Sequence, residues 1–166
     1  MNRICLLRIL LGILLILNLI MIFSFSAESA AESGQTSKSV TRFLVRLVDW
    51  DFNKQTPDVQ EALLEKWHLL VRKLAHMTEF GMLCGWSVLL LRTWKLLDWQ
   101  PALFSLLFTA AVASVDEFSQ HSGGLGRAGQ ISDVLIDLLG GLTVTAFLYF
   151  IFKLRTITQG RTQKKT

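Results

Sequence analysis

Polar residues are scarce in four stretches of the chain and frequent between them. The apolar runs cover about 5–25, 74–91, 101–115 and 134–152, each near the roughly 20 residues that a helix uses to cross a bilayer. The pattern predicts an all-α fold, an integral membrane bundle of about four transmembrane helices. Composition agrees, because 51% of the residues are hydrophobic whereas a soluble domain holds about 45–50% even with glycine counted. The expected layout is an N-terminal transmembrane helix at 1–26, an extracytoplasmic loop with amphipathic helices at 27–71, a three-helix membrane core at 72–153 and a basic cytoplasmic tail at 154–166.

The first run admits a second reading. Arg3 and Arg8, an apolar core and the small residues of "SFSAESAAES" also describe a secretory signal peptide. The core from 9 to 25 exceeds the about 7–15 residues usual for such a peptide, which favours a retained anchor. Cys5 and Cys84 lie in different apolar runs, a spacing that suits small core residues better than a disulfide or a thiolate metal site.

Lysine and arginine set the expected orientation, since cytoplasmic loops are enriched in them. With the N-terminus inside, the inner segments carry Arg3, Arg8, Arg92, Lys95, Lys153, Arg155, Arg161, Lys164 and Lys165 against the single acid Asp98. This predicts a multi-pass cell-membrane protein with both termini cytoplasmic. It also accounts for the net charge of +4 without any nucleic-acid partner.

The only long connection, 27–71, opens with a Ser/Ala/Glu/Gln stretch that reads as a solvated linker. Val40, Phe43, Leu44, Leu47 and Val48 then recur at helical spacing, which suits a helix lying at the bilayer surface with Trp50 as its interfacial anchor. A further helix is predicted at "TPD", with Thr56 as N-cap, Pro57 in the first turn and Asp58 at the positive helix end. Its apolar face continues into the second span.

The ionisable residues near the last three spans are grouped. Arg72, Lys73, His76 and Glu79 sit at one; Asp116, Glu117, Gln120 and His121 at the next; Arg127, Asp133 and Asp137 at the last. In the predicted topology all fall toward the outer end. Spacing of three or four puts Arg72, His76 and Glu79 on one helix face, Asp116 and Gln120 on another, and Gln130, Asp133 and Asp137 on a third extended by Gly140 and Gly141. Glycines there let helices approach closely. An ionisable side chain at mid-membrane costs about 2.5–3.5 kcal/mol, so these acids must be paired, hydrated or bound to a ligand.

Each residue carries more than one reading. His76 and Glu79 suit a base with its orienting carboxylate, half a metal site, or an ion pair closing the bundle. Asp116 and Glu117 are adjacent and point about 100° apart, so one of them is expected to face a given cavity. Asp133 and Asp137 share a face and would split their proton affinities, although Asp133 also suits a helix N-terminus. Arg127 fits a phosphate or carboxylate, or a salt bridge to Asp116 or Asp133. "GLGRAG" satisfies G-x-G-x-x-G but follows a membrane helix and not a strand, which excludes a dinucleotide site. Nothing in the spacing requires a metal or names a cofactor.

"RKLAHMTEFG", "SVDEFSQ" and "GRAGQISDVLIDLLGG" together resemble the VanZ-like membrane proteins over about 72–141. The resemblance implies a bacterial cell-envelope protein, linked in its founding member to low-level teicoplanin resistance. The glycopeptide-resistance type matches at Glu117, Gln120 and Asp133, lacks the basic and histidine residues of "RKLAH", and has an amide where Asp137 stands.

The leading expectation is a polar cluster open to the outside that binds an anionic envelope or lipid-linked ligand, with Arg72, Lys73, Gln120, Arg127 and Asp137 as its binding residues. A membrane-embedded hydrolase or transferase would take its catalytic groups from His76, Glu79, Asp116, Glu117 and Asp133. A small transporter or a structural membrane protein is the non-enzymatic alternative.

Overall fold

The computed structural model describes residues 2–122 and 131–163, with side chains as far as Thr158. Five helices follow one another: α1 (Arg3–Ser26), α2 (Ala30–Val48), α3 (Pro57–Leu91), α4 (Gln100–Ser122) and α5 (Ile131–Gln163), with one 3₁₀ turn at Phe52–Lys54. All but α2 are long and apolar enough to cross a membrane. Isoleucines, leucines and phenylalanines cover their outer faces, among them Ile16, Leu107 and Phe147, as contact with lipid requires.

One end of the bundle is basic and aromatic. Arg8 of α1 donates from Nε to Thr93 Oγ1 at 2.9 Å and from Nη2 to the Thr93 carbonyl at 2.7 Å. Arg92 lies 4.1 Å from the ring centre of Phe152, and the Tyr149 hydroxyl donates to the Asp98 carbonyl. The start of α1, the end of α3, the start of α4 and the later turns of α5 therefore share this basic end. Chain direction then puts Glu79, Asp116 and Asp137 toward the other end.

α3 is the central element and packs against α1, α2, α4 and α5. Its tightest partner is α5, because both present glycine at the crossing. A Cβ on Gly140 would stand 2.0 Å from the Met77 carbonyl oxygen, and one on Gly81 would stand 3.2 Å from the Gly140 carbonyl oxygen. Small residues at such a crossing replace the hydrophobic drive that lipid cannot supply. On the other flank of α3, Ile22 of α1 joins Phe80, Leu83, Val112 and Ala113 in a buried apolar cluster.

Two expectations change. The opening of the 27–71 connection is helix and not linker, because Ser29 and Glu32 form a capping box that starts α2: the Ser29 N–H donates to Glu32 Oε2 at 2.8 Å and Ser29 Oγ accepts from the Glu32 N–H. Cys84 is buried as expected, but Cys5 is exposed on α1, since only one side of that helix meets the bundle.

α2 lies along the first half of α3 as a hairpin. Its small residues Ser33, Ser37 and Thr41 are buried, while Phe43, Leu47, Val48 and Trp50 remain exposed. Lys38 Nζ bonds Glu61 Oε1 at 2.7 Å and also Glu65. α3 begins at Thr56 and Pro57, although the Thr56 side chain makes no capping bond. It would extend about 50 Å against the roughly 30 Å hydrocarbon layer, so one helix serves both hairpin and membrane bundle.

Replacing Gly140 by alanine is expected to force α3 and α5 apart and lower stability by about 1–3 kcal/mol. Gly12→Ala, where an added Cβ meets nothing within 4 Å, should instead be neutral or slightly stabilising, as thermal unfolding in detergent would record.

The hairpin also has a defined pH window. Hydrogen bonds from Lys38 to Glu61 and then Glu65 hold its ammonium above the ordinary value of 10.5, so that contribution is complete below 10.5 and fades as pH rises through the folded value. Ser29's backbone N–H and then its hydroxyl hold Glu32 below the ordinary 4.5, a contribution present above 4.5 and lost as pH falls through the folded value. Unfolding midpoints followed across pH should decline at both extremes, with Lys38→Met flattening the alkaline limb and Ser29→Ala the acid limb.

Candidate functional site

Three helices deliver carboxylates to one region. Glu79 comes from the middle of α3, Asp116 and Glu117 from the penultimate turns of α4, and Asp133 and Asp137 from the first turns of α5. Asp137 lies within electrostatic range of all the other four. The helical register explains it: Gly140, one turn after Asp137, rests on the Met77 backbone, two residues before Glu79.

Burial is deepest at the centre of the group. Asp116 is 0% exposed, Asp137 1% and Glu117 9%, while Glu79 and Asp133 are half-buried. Asp116 and Glu117 were expected to divide between two directions, yet both are buried, because α4 is packed by α3 on one side and α5 on the other. Gln120 Nε2 donates to Asp116 Oδ2 at 2.8 Å. Among the described residues, Asp116 Oδ1 and both Asp137 oxygens are buried without a hydrogen-bond partner. Such atoms are rare in native structures and call for water, a proton or a ligand.

The remaining predicted residues lie around this centre or outside it. Arg72 and His76 are half-buried on α3, two turns and one turn before Glu79 respectively, and Lys73 is exposed beside them. Among the described residues, none of the ion pairs involves Arg72 or Lys73. His121 is exposed near the end of α4. Arg127 and Gln130, with the glycine-rich stretch around them, lie outside the described residues. Glu28, after α1, adds a further carboxylate within electrostatic range of Glu79.

No group of three histidine, cysteine or carboxylate side chains among the described residues stands close enough to hold a metal ion. The described carboxylates offer hydrogen-bond acceptance and proton exchange.

Sequence reasoning missed two contributors. Gly81 and Gly85 form a small-x-x-x-small pair inside an apolar span, a spacing that signals close helix contact. Asn18, 4% exposed and with both amide atoms unpartnered among the described residues, is the only amide in the apolar run of α1, and such a polar group in a spanning helix marks an inward face.

A membrane-crossing helical bundle with an interior carboxylate cluster defines the class: a multi-pass, all-α membrane protein. A sequence model of the VanZ/LLP1 family matches residues 11–153, from the third turn of α1 into α5, and the chain belongs to that family. No curated protein and no solved structure matches it.

If Gln120 satisfies Asp116 as this geometry indicates, Gln120→Leu should cost about 1–3 kcal/mol by leaving a buried carboxylate bare. Combining it with Asp116→Leu should recover part of that loss, and a double-mutant cycle of thermal stabilities would read the coupling.

Proposed function

We propose that this VanZ/LLP1 family protein binds the headgroup of an anionic envelope lipid or lipid-linked glycan at the open end of its carboxylate cluster, on the outer side of the cell membrane. The observation that carries this reading is the set of acceptors, Asp116 Oδ1 and both Asp137 oxygens, that are buried without a partner among the described residues. A phosphate would repel ionised carboxylates. In this reading it rests on Arg72 and Lys73, while sugar or glycerol hydroxyls donate inward to Asp116, Asp137 and the Gln120 amide oxygen.

The outward orientation is supported by Arg8, Arg92, Lys95, Lys153 and Arg155 at the opposite end, the distribution expected of a cytoplasmic face. Occupying an envelope precursor in this way would change its availability to glycopeptides, the form a teicoplanin phenotype would take here.

A second reading is favoured by one feature, the gathering of several acids whose surroundings differ in burial. Carboxylates held in unlike environments divide into an acid and a base. In a hydrolase or transferase acting on the same headgroup, Glu79, Asp116, Glu117 or Asp133 would serve as base, with His76 as proton carrier.

Native mass spectrometry of the protein extracted with its own lipids is the test. A retained anionic lipid is expected in the wild type. Asp137→Asn and Arg72→Ala should each weaken its retention at least tenfold at unchanged thermal stability, about 1.4 kcal/mol per tenfold. Protein that emerges free of anionic lipid, or variants that retain it as well as wild type, would defeat the binding reading. Loss of one envelope lipid and gain of its product in cells expressing the protein would select the enzymatic reading.

A further inference from the structure

Between α2 and α3 lies a groove of about 320 Å³. Leu44, Val45 and Val48 of α2 line one wall, and Leu63, Trp67 and Val71 of α3 line the other. The two remaining lining residues, Thr41 and Asp49, are already engaged. Thr41 is fully buried and gives its hydroxyl to the Ser37 carbonyl at 2.7 Å. Asp49 accepts from the Asp51 N–H at 3.0 Å and from Gln55 Nε2 at 3.2 Å. What the groove offers an occupant is therefore alkyl and indole surface. An apolar cavity of about 150 Å³ already stays dry and takes up hydrocarbon.

The α3 wall runs on into the membrane. Trp67, Val71, Leu74, Thr78 and Met82 follow at spacings of three and four, which makes them one stripe of that helix, and all but Val71 are exposed. Thr78 hides its hydroxyl by donating to the Leu74 carbonyl at 2.7 Å. Phe80, Leu83 and Cys84, on the other side of α3, are buried in the bundle. The groove is thus continuous with the face of α3 that meets lipid, and exposed apolar surface of this kind marks a membrane contact. Cations stand beside both walls. Arg42 and Arg46, one turn apart and exposed, neighbour Thr41 and Val45 in the chain, and the Lys66 ammonium lies 5.4 Å from the ring centre of Trp67. Among the described residues, none of the three enters an ion pair.

We propose that this groove takes one acyl chain of an anionic phospholipid from the adjoining leaflet, with the phosphate resting among Arg42, Arg46 and Lys66. The chain passes from the groove down the stripe from Trp67 to Met82, so its hydrocarbon stays covered by protein or lipid throughout. Guanidinium groups grip phosphate oxygens in pairs and an ammonium adds a point charge, and basic side chains at a membrane surface attract anionic headgroups. A second copy of the chain is disfavoured as the occupant, because a symmetric contact through this face would set the same cations against one another. The site shares no residue with the carboxylate cluster and does not depend on the reading given above for it.

The test places the purified full-length chain in phosphatidylcholine nanodiscs that carry a small fraction of a photoreactive lipid, either phosphatidylglycerol or phosphatidylcholine with a diazirine in its acyl chain. Mass spectrometry of the digested chain then locates the adducts. They are expected on residues 41–49 and 63–71, several-fold more abundant from the phosphatidylglycerol probe, whereas lipid-facing Leu107 should be labelled equally by both. Val45→Trp, which fills the groove, should remove the groove adducts and spare those at Leu107. Changing Arg42→Gln and Arg46→Gln together, at exposed positions, should cancel the preference for phosphatidylglycerol. Each variant is checked for wild-type helix content and melting, and if Val45→Trp does not fold the arginine pair decides. An unlabelled groove beside a labelled Leu107 overturns the proposal, as does equal groove labelling by the two probes. A dimer in native mass spectrometry that Val45→Trp dissociates overturns it in favour of a second copy. Groove adducts that persist in Asp137→Asn support a site distinct from the carboxylates; their loss in that variant returns the lipid to the carboxylate site and overturns this one.

Discussion

Hydrocarbon offers no hydrogen-bond partner, so polar groups inside a membrane bundle depend wholly on their neighbours. In this protein the constraint acts through the crossing of α3 and α5. With hydrogen alone on Gly140 and Gly81, the two backbones close to a distance that no side chain permits. That contact fixes the rotation of α5, and rotation decides that Asp137 faces the interior and Leu135 and Leu139 face outward. A helix turned by half a revolution would present the acid to lipid instead.

Once Asp137 is interior, the other helices are limited in what they bring. α4 must place acceptors or donors near it, and Gln120 does so by engaging only one oxygen of Asp116. α1 seals the opposite flank with Ile22, supported by Leu15 and Leu19. Like charges gathered in a low-dielectric interior repel one another, so the group depends on what its unpartnered oxygens meet. Unpartnered buried oxygens of this kind call for a proton, water or a bound partner.

Much of this was legible in the sequence because the determining signals are local. A run of about 20 apolar residues is a span by composition alone, and acids three or four apart share a helix face wherever that helix packs. The apposition of "RKLAHMTEFG", "SVDEFSQ" and "SDVLID" followed from those periodicities together with alternating spans. What escaped depends on partners. Asp116 and Glu117 point in different directions, and only the presence of α3 and α5 on two sides of α4 buries both. The α2 start was hidden because its first turns are small and polar, and the Ser29 and Glu32 box that nucleates them occupies only two positions. Asn18 was missed because its burial depends on how α1 packs against α3 and α4.

The length of α3 joins the hairpin to the acids mechanically. No glycine or proline interrupts it between Pro57 and Gly81, and sharp bends in helices arise mostly at such residues or at local breaks in their hydrogen-bond ladder. α2 is fastened to this rod by Lys38 at Glu61 and Glu65 and by its buried small residues, so the two move together. The same helix runs on past Glu79 to the glycine crossing with α5. The first glycine on that path, Gly81, lies at the crossing with α5, so the hairpin and the carboxylate cluster are carried by one continuous helix.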